Sequence, residues 1–264
     1  MAKKEEAVIA SASQDRAPRV AVVLSSFTGG EDHFGNKVKG LADPQPVTAP
    51  LTEAQVDALL RKAIELGDLR GRNLPRSISP DDWVLIEPRG ADSLAVRAMV
   101  RFVAGLGRAG RISIAAPENA LAEELSKRHP KTRFECVDLA RVERLELPVP
   151  NATDRLAQVP KLVRHCDKRI VLAALDASKG LAIGALDQFS FHAAEYALLT
   201  GRNLILAGMN AVSVDAVGSA VLGIDPAKAP LLGDAEKKGY GLRDLEAIWV
   251  RGNEIEDAQR ALRA

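Results

Sequence analysis

The sequence predicts an α/β protein: a mostly parallel sheet covered by helices on both faces, in three layers. Short apolar runs such as Val-Ala-Val-Val-Leu at 20–24 are what a strand buried on both faces of a parallel sheet requires. They alternate with longer segments whose apolar residues recur at helical spacing. The resulting strand, helix, strand order is the connectivity that builds a parallel sheet with helices on its faces.

Residues 1–18 are polar, small and aperiodic and are expected to be a flexible arm, with a single α/β domain over 19–264. The strand at 20–24 ends in Ser25 and Ser26, and a Gly-, Asp- and Pro-rich loop follows from 28 to 50. Thr52 caps a helix in which Val56, Leu59, Leu60, Ala63, Ile64 and Leu66 share one face, closing at Gly67. Strands are expected at 83–86, 111–115, 134–139, 169–175, 204–207 and 247–250, and helices at 93–106, 120–128, 159–165, 214–222 and 227–238. Residues 141–147 alternate charged and apolar side chains, as a half-exposed edge strand does.

Composition excludes several classes. Lys and Arg number 36 against 35 Asp and Glu, so a net charge of +1 gives no bulk attraction to nucleic acid. Two Trp, two Tyr and six Phe leave little for stacking on bases. Two cysteines, Cys136 and Cys166, supply neither a disulfide framework nor a thiolate cluster, and both are expected to be buried and inert. No apolar run approaches the ~18 residues that span a bilayer, and a cytoplasmic location is expected. The charged start Met1-Ala-Lys-Lys-Glu-Glu is, however, also what stands where an export leader has been replaced.

Three motifs carry less chemistry than their patterns suggest. Gly105-Leu-Gly107-Arg-Ala-Gly110 matches the dinucleotide fingerprint, but it follows a helix and precedes a strand, the reverse of the required order. It reads as a helix stop and a tight turn. The loop Gly30-Glu-Asp-His-Phe-Gly35-Asn-Lys37 departs from a phosphate loop in its Lys position, and Glu31 and Asp32 repel phosphate. His192 and Glu195 stand three apart on one helical face, a spacing used by metal sites, yet no second ligand pair accompanies them and a solvated helix face is the simpler reading. The cofactor is left unassigned.

Candidate site residues follow from position instead. In open parallel sheets ligands bind beyond the carboxyl ends of the strands. That rule selects Ser25, Ser26, Glu87, Arg89, Glu118 and Asn119 as ligand-binding candidates, and Asp176 with Lys179 as an acid and ammonium delivered into a Gly-containing turn.

The C-terminal third carries Asn203-Leu-Ile-Leu-Ala-Gly208, Val212-Ser-Val-Asp215-Ala-Val217, Leu222-Gly-Ile-Asp225-Pro226, Lys238-Gly-Tyr-Gly241-Leu-Arg-Asp-Leu245 and Ile248-Trp-Val-Arg-Gly252. In order and spacing these resemble the domain-of-unknown-function 362 family. The resemblance implies an α/β fold and, in some relatives, attached iron–sulfur segments, which a chain with two cysteines does not carry. It matches Asp215 to the family's Val-Asp-Ala aspartate. Where the family has a strand-end Lys-Pro-Asn this chain has Glu87-Pro88-Arg89, and where it has Lys-x-Lys-Thr-His this chain has Leu175-Asp-Ala-Ser-Lys179.

Two functions are therefore carried forward. One is a small-molecule-binding, enzyme-like domain with Asp176, Lys179 and Asp215 near one cleft lined by Glu87 and Arg89. The other is a noncatalytic binding or assembly module, a homo-oligomer included, that has lost the family's polar site. No nucleic-acid partner is expected in either.

Overall fold

The computed structural model describes residues 17–25, 50–67, 73–148, 156–176, 194, 196–201, 203–237 and 239–263. Among these, β1 (Arg19–Leu24) is followed by α1 (Glu53–Gly67), α2 (Leu74–Ser77), β2 (Trp83–Arg89), α3 (Ser93–Gly105), β3 (Arg111–Ile114), α4 (Asn119–Arg128) and β4 (Arg133–Cys136). Next come β5 (Arg144–Pro148), β6 (Leu156–Pro160), α5 (Lys161–His165), β7 (Lys168–Ala174), β8 (Tyr196–Thr200) and β9 (Leu204–Gly208). The chain closes with α6 (Ala211–Val221), a 3-10 turn (Pro226–Lys228), α7 (Pro230–Lys237), a second 3-10 turn (Leu245–Ala247), β10 (Trp249–Gly252) and α8 (Ile255–Arg263). The 1–18 arm and the 28–50 loop lie almost wholly outside the described residues.

Eight strands form one sheet in the order β10-β1-β9-β8-β7-β2-β3-β4. Every neighbouring pair is parallel except the two that involve β9, which runs antiparallel to both β1 and β8. The expected three-layer α/β fold is thus present. Its central strands β8 and β9 are buried at every position, so both faces must be covered, and their sequences Tyr-Ala-Leu-Leu-Thr and Leu-Ile-Leu-Ala-Gly are correspondingly apolar.

On the front face, α1, α3 and α4 pack their apolar stripes over alternate residues of the strands, including Ala21, Val84, Ile86, Ile112 and Ile170. On the back face, α6, α7 and α8 cover β1, β9, β8 and β7 through Val20, Val22, Leu206, Leu199 and Val171. A smaller cluster of Leu85, Val159, Leu162, Val163 and Cys166 continues that layer over β2.

The helix starts are fixed locally. Thr52 and Gln55 form a capping box, the Thr52 backbone N–H donating to Gln55 Oε1 at 2.8 Å and the Gln55 N–H to Thr52 Oγ1 at 3.4 Å. Asp92 caps α3 through Leu94 N–H at 2.7 Å, and Asn210 caps α6 through Ser213 N–H at 2.9 Å. Gly107, at φ +64°, turns the chain out of α3 as the helix-stop reading requires.

Three expectations need correction. Residues 156–160 are a strand, and only Lys161–His165 is helical, because Pro160 supplies no N–H and opens the helix rather than continuing it. The strand expected near 141–147 is Arg144–Pro148, but it is no edge of the main sheet; it pairs antiparallel with β6 in a separate two-stranded ribbon. Cys166 is buried, whereas Cys136 is only half-buried.

A candidate ligand site at the carboxyl edge

The seven strands that share a direction end at one edge of the sheet, here the carboxyl edge. Chain connectivity reverses there between two hydrogen-bonded neighbours, β2 and β7. From β2 the chain crosses to β3 on one side, and β8 adjoins β7 on the other. In open parallel sheets such a switch point is where ligands bind.

Glu87, Arg89 and Arg169 meet at this switch point. Leu85, Glu87 and Arg89 alternate onto the back face of β2, and Arg169 and Val171 onto the back face of β7, in register Leu85 with Arg169 and Glu87 with Val171. Arg169 Nε donates to Glu87 Oε2 at 2.8 Å, and Arg89 Nε and Nη2 each donate to Glu87 Oε1 at 2.9 Å. The Arg169 and Glu87 side chains are 1% and 9% exposed, while Arg89 reaches the rim at 26%. The cluster lies between the two back-face apolar clusters. Gly90, at φ +70°, bridges to Ala173 just beyond it and holds the two strand ends together.

Of the residues chosen from the sequence, Glu87 and Arg89 are therefore brought together, and Asp176 leaves the neighbouring β7 at the same edge, half-buried. Glu118 and Asn119 stand at the start of α4, one strand further on, with no side-chain cap bond from Glu118. Ser25 lies three strands from β7, about 14 Å at ~4.8 Å per strand; its N–H donates to Asn203 O at 2.8 Å. Beside it Asn253 Oδ1 accepts the buried Leu24 N–H at 3.0 Å, which closes the sheet end there.

Asp215 is placed elsewhere. Because β9 runs against the other strands, α6 starts at the opposite, amino edge, and Asp215 lies ~6 Å along it at 1.5 Å per residue. It is fully buried within the back-face layer and does not reach the carboxyl edge. Ser26, Lys179, His192 and Glu195 lie outside the described residues. Among the described residues no three His, Cys, Asp or Glu side chains gather as a metal site.

Position alone did not select Arg169, since it opens a strand rather than ending one. The signal was present all the same: an arginine heading the run Ile-Val-Leu-Ala-Ala enters a sheet buried on both faces and needs a buried carboxylate. Cys166 packs nearby, and its thiol is pushed up to about 11, by burial first, against the opposing pull of Arg169.

The fold and this edge define the chain as an α/β protein with a charged cluster at the switch point of its sheet. No protein-family model, curated protein or solved structure matches it. Among the described residues no helix is long and apolar enough to cross a membrane.

Proposed function

We propose that this chain binds a small polar molecule in the crevice over β2 and β7 and acts on it there as an enzyme. One observation carries the reading: a glutamate with two arginines is held at the switch point of the sheet, where the apolar layer is interrupted. A buried charge cluster is a poor way to gain stability, since well-packed hydrocarbon of the same volume does as well or better. Its retention at the ligand-binding edge is accounted for by recognition of a polar partner. Asp176 is the nearest candidate for proton transfer, with Lys179 its companion from the sequence. The resemblance of 203–252 to the domain-of-unknown-function 362 family agrees with a shared α/β scaffold and leaves the substrate open.

The test is a thermal-shift screen of amino acids, carboxylates, sugar phosphates and nucleotides, paired with native mass spectrometry of protein purified without additives. A ligand at about 100 times its Kd adds ~2.7 kcal/mol, which is a rise of roughly 5–10 °C for a domain of this size. The shift is expected to vanish in Arg89→Ala. A ligand whose shift survives that substitution binds elsewhere, and the reading is then wrong.

A further inference from the structure

The end of β1, three strand spacings from β7, takes no part in that reading, yet polar groups gather there. Val20, Val22 and Leu24 point to the back face and Ala21 and Val23 to the front, so Ser25 continues the front face. On β9 the same alternation, Leu204 and Leu206 back and Ile205 front, turns Asn203 to the front. The register sets Leu24 opposite Leu204 and hence Ser25 opposite Asn203, and the Ser25 N–H donating to Asn203 O at 2.8 Å carries the ladder to that pair. Side chains so opposed have Cβ atoms ~5 Å apart. Asn253 arrives from β10, the other neighbour of β1. Its N–H donates to Val22 O at 2.8 Å and its Oδ1 accepts from Leu24 N–H at 3.0 Å, which fixes its carboxamide against the strand end.

These groups are buried and incompletely bonded. Ser25 Oγ is shut off from water and has no hydrogen-bond partner among the described residues. Asn203 and Asn253 are only 5% and 4% exposed. Among the described residues neither the Asn203 carboxamide nor Asn253 Nδ2 finds a partner either. Asparagines at strand ends and turns ordinarily face water, where an unpaired amide is solvated. Buried polar groups are nearly always bonded, and a donor or acceptor left unmade opposes folding, whereas an apolar pair opposed across β1 and β9 would close the same sheet end without that penalty. A ligand that completes the missing bonds accounts for keeping three such groups at one strand end.

We propose that Ser25, Asn203 and Asn253 form a second binding site, for the adjacent hydroxyls of a sugar or cyclic polyol. None of the three side chains is charged, so an ion bound there would leave water without a counter-charge from them. Together they offer N–H and O–H donors beside carbonyl and hydroxyl acceptors, and a hydroxyl is the neutral group that donates and accepts at once. The backbones of Asn203 and Asn253 flank β1 at ~4.8 Å on either side, a spread that one sugar ring with its hydroxyls covers. The site stands at the carboxyl end of a strand, where ligands of such sheets bind.

The probes are D-glucose, D-mannose, D-ribose and myo-inositol, each presented at roughly ten times a Kd of ~1 mM and followed by saturation-transfer NMR. At least one is expected to bind. Ser25→Ala and Asn203→Ala should each weaken that binding at least ~10-fold, since a site built to bond a hydroxyl loses most when one of its own partners is removed. Ser25→Ala should also keep or raise Tm, because the hydroxyl it deletes has no partner in the free protein, whereas a hydroxyl with a structural role would lower Tm when lost. Arg89→Ala, at the β2–β7 cluster, should leave sugar binding unchanged. Binding of none of the four probes, binding that survives Ser25→Ala, a Tm lowered by Ser25→Ala, or sugar binding lost in Arg89→Ala would each overturn the proposal. The reading of the β2–β7 cluster is decided separately, by ligands whose thermal shift depends on Arg89 and not on Ser25.

Discussion

Removing the charge of Glu87 without its shape exposes how the cluster is held. In Glu87→Gln the side chain keeps its length, but Arg169, 1% exposed and bonded through Nε at 2.8 Å, keeps a positive charge with its carboxylate partner gone. Breaking a buried pair by neutralising one partner costs ~3–5 kcal/mol, mostly the penalty of the charge left behind. That is a large share of the ~5–15 kcal/mol by which domains are stable. The urea midpoint, followed by far-UV circular dichroism, should fall by ~1 M or more at an unchanged m-value of about 3 kcal/mol/M. Pairing Glu87→Gln with Arg169→Met removes the stranded charge and should restore most of the loss. Arg89, nearer the surface, is expected to matter less. If Glu87→Gln costs under ~1 kcal/mol, or the double variant is no more stable than the single, the cluster is not the uncompensated-charge trap described here.

Two further outcomes follow from the packing. Because the Cys166 thiol ionises near 11 when folded and near 9 when unfolded, the unfolded chain loses its proton first as pH rises. Stability from this group is therefore constant below pH 9 and falls between 9 and about 11, by roughly 3 kcal/mol at most; the fall in urea midpoint from pH 8 to pH 10.5 should be smaller in Cys166→Ala, which removes the group. Gly67→Ala places a Cβ 2.5 Å from the Ala207 carbonyl oxygen, so α1 must move off β9, at ~1–3 kcal/mol by thermal unfolding; an unchanged Tm would mean that the helix end yields freely.

The elements were legible where local physics decides them. Runs such as Ile-Val-Leu-Ala-Ala in β7 have no amphipathic alternative and had to be interior strands, and Thr52 and Gly107 mark helix ends by hydrogen bonds or turns that involve only near neighbours. Strand β8 went unseen because Tyr-Ala-Leu-Leu-Thr is as short and apolar as a helix fragment, and only its neighbours β7 and β9 give it a ladder. Strand β5 was visible from its alternation, but its partner β6 was not, because the two pair only with each other and β6 runs straight into a helix.

By itself, the sequence determined that this is a mostly parallel α/β protein with polar residues at its strand ends, since burial periodicity and capping act over a few residues. Only the tertiary structure decided which of those residues meet. Reversing the direction of one strand, β9, sent Asp215 toward the amino edge, and seating β7 beside β2 joined Glu87 to Arg169, eighty-two residues away along the chain. Strand order is settled by which faces can be covered and which connections can close, and no window of sequence contains that information.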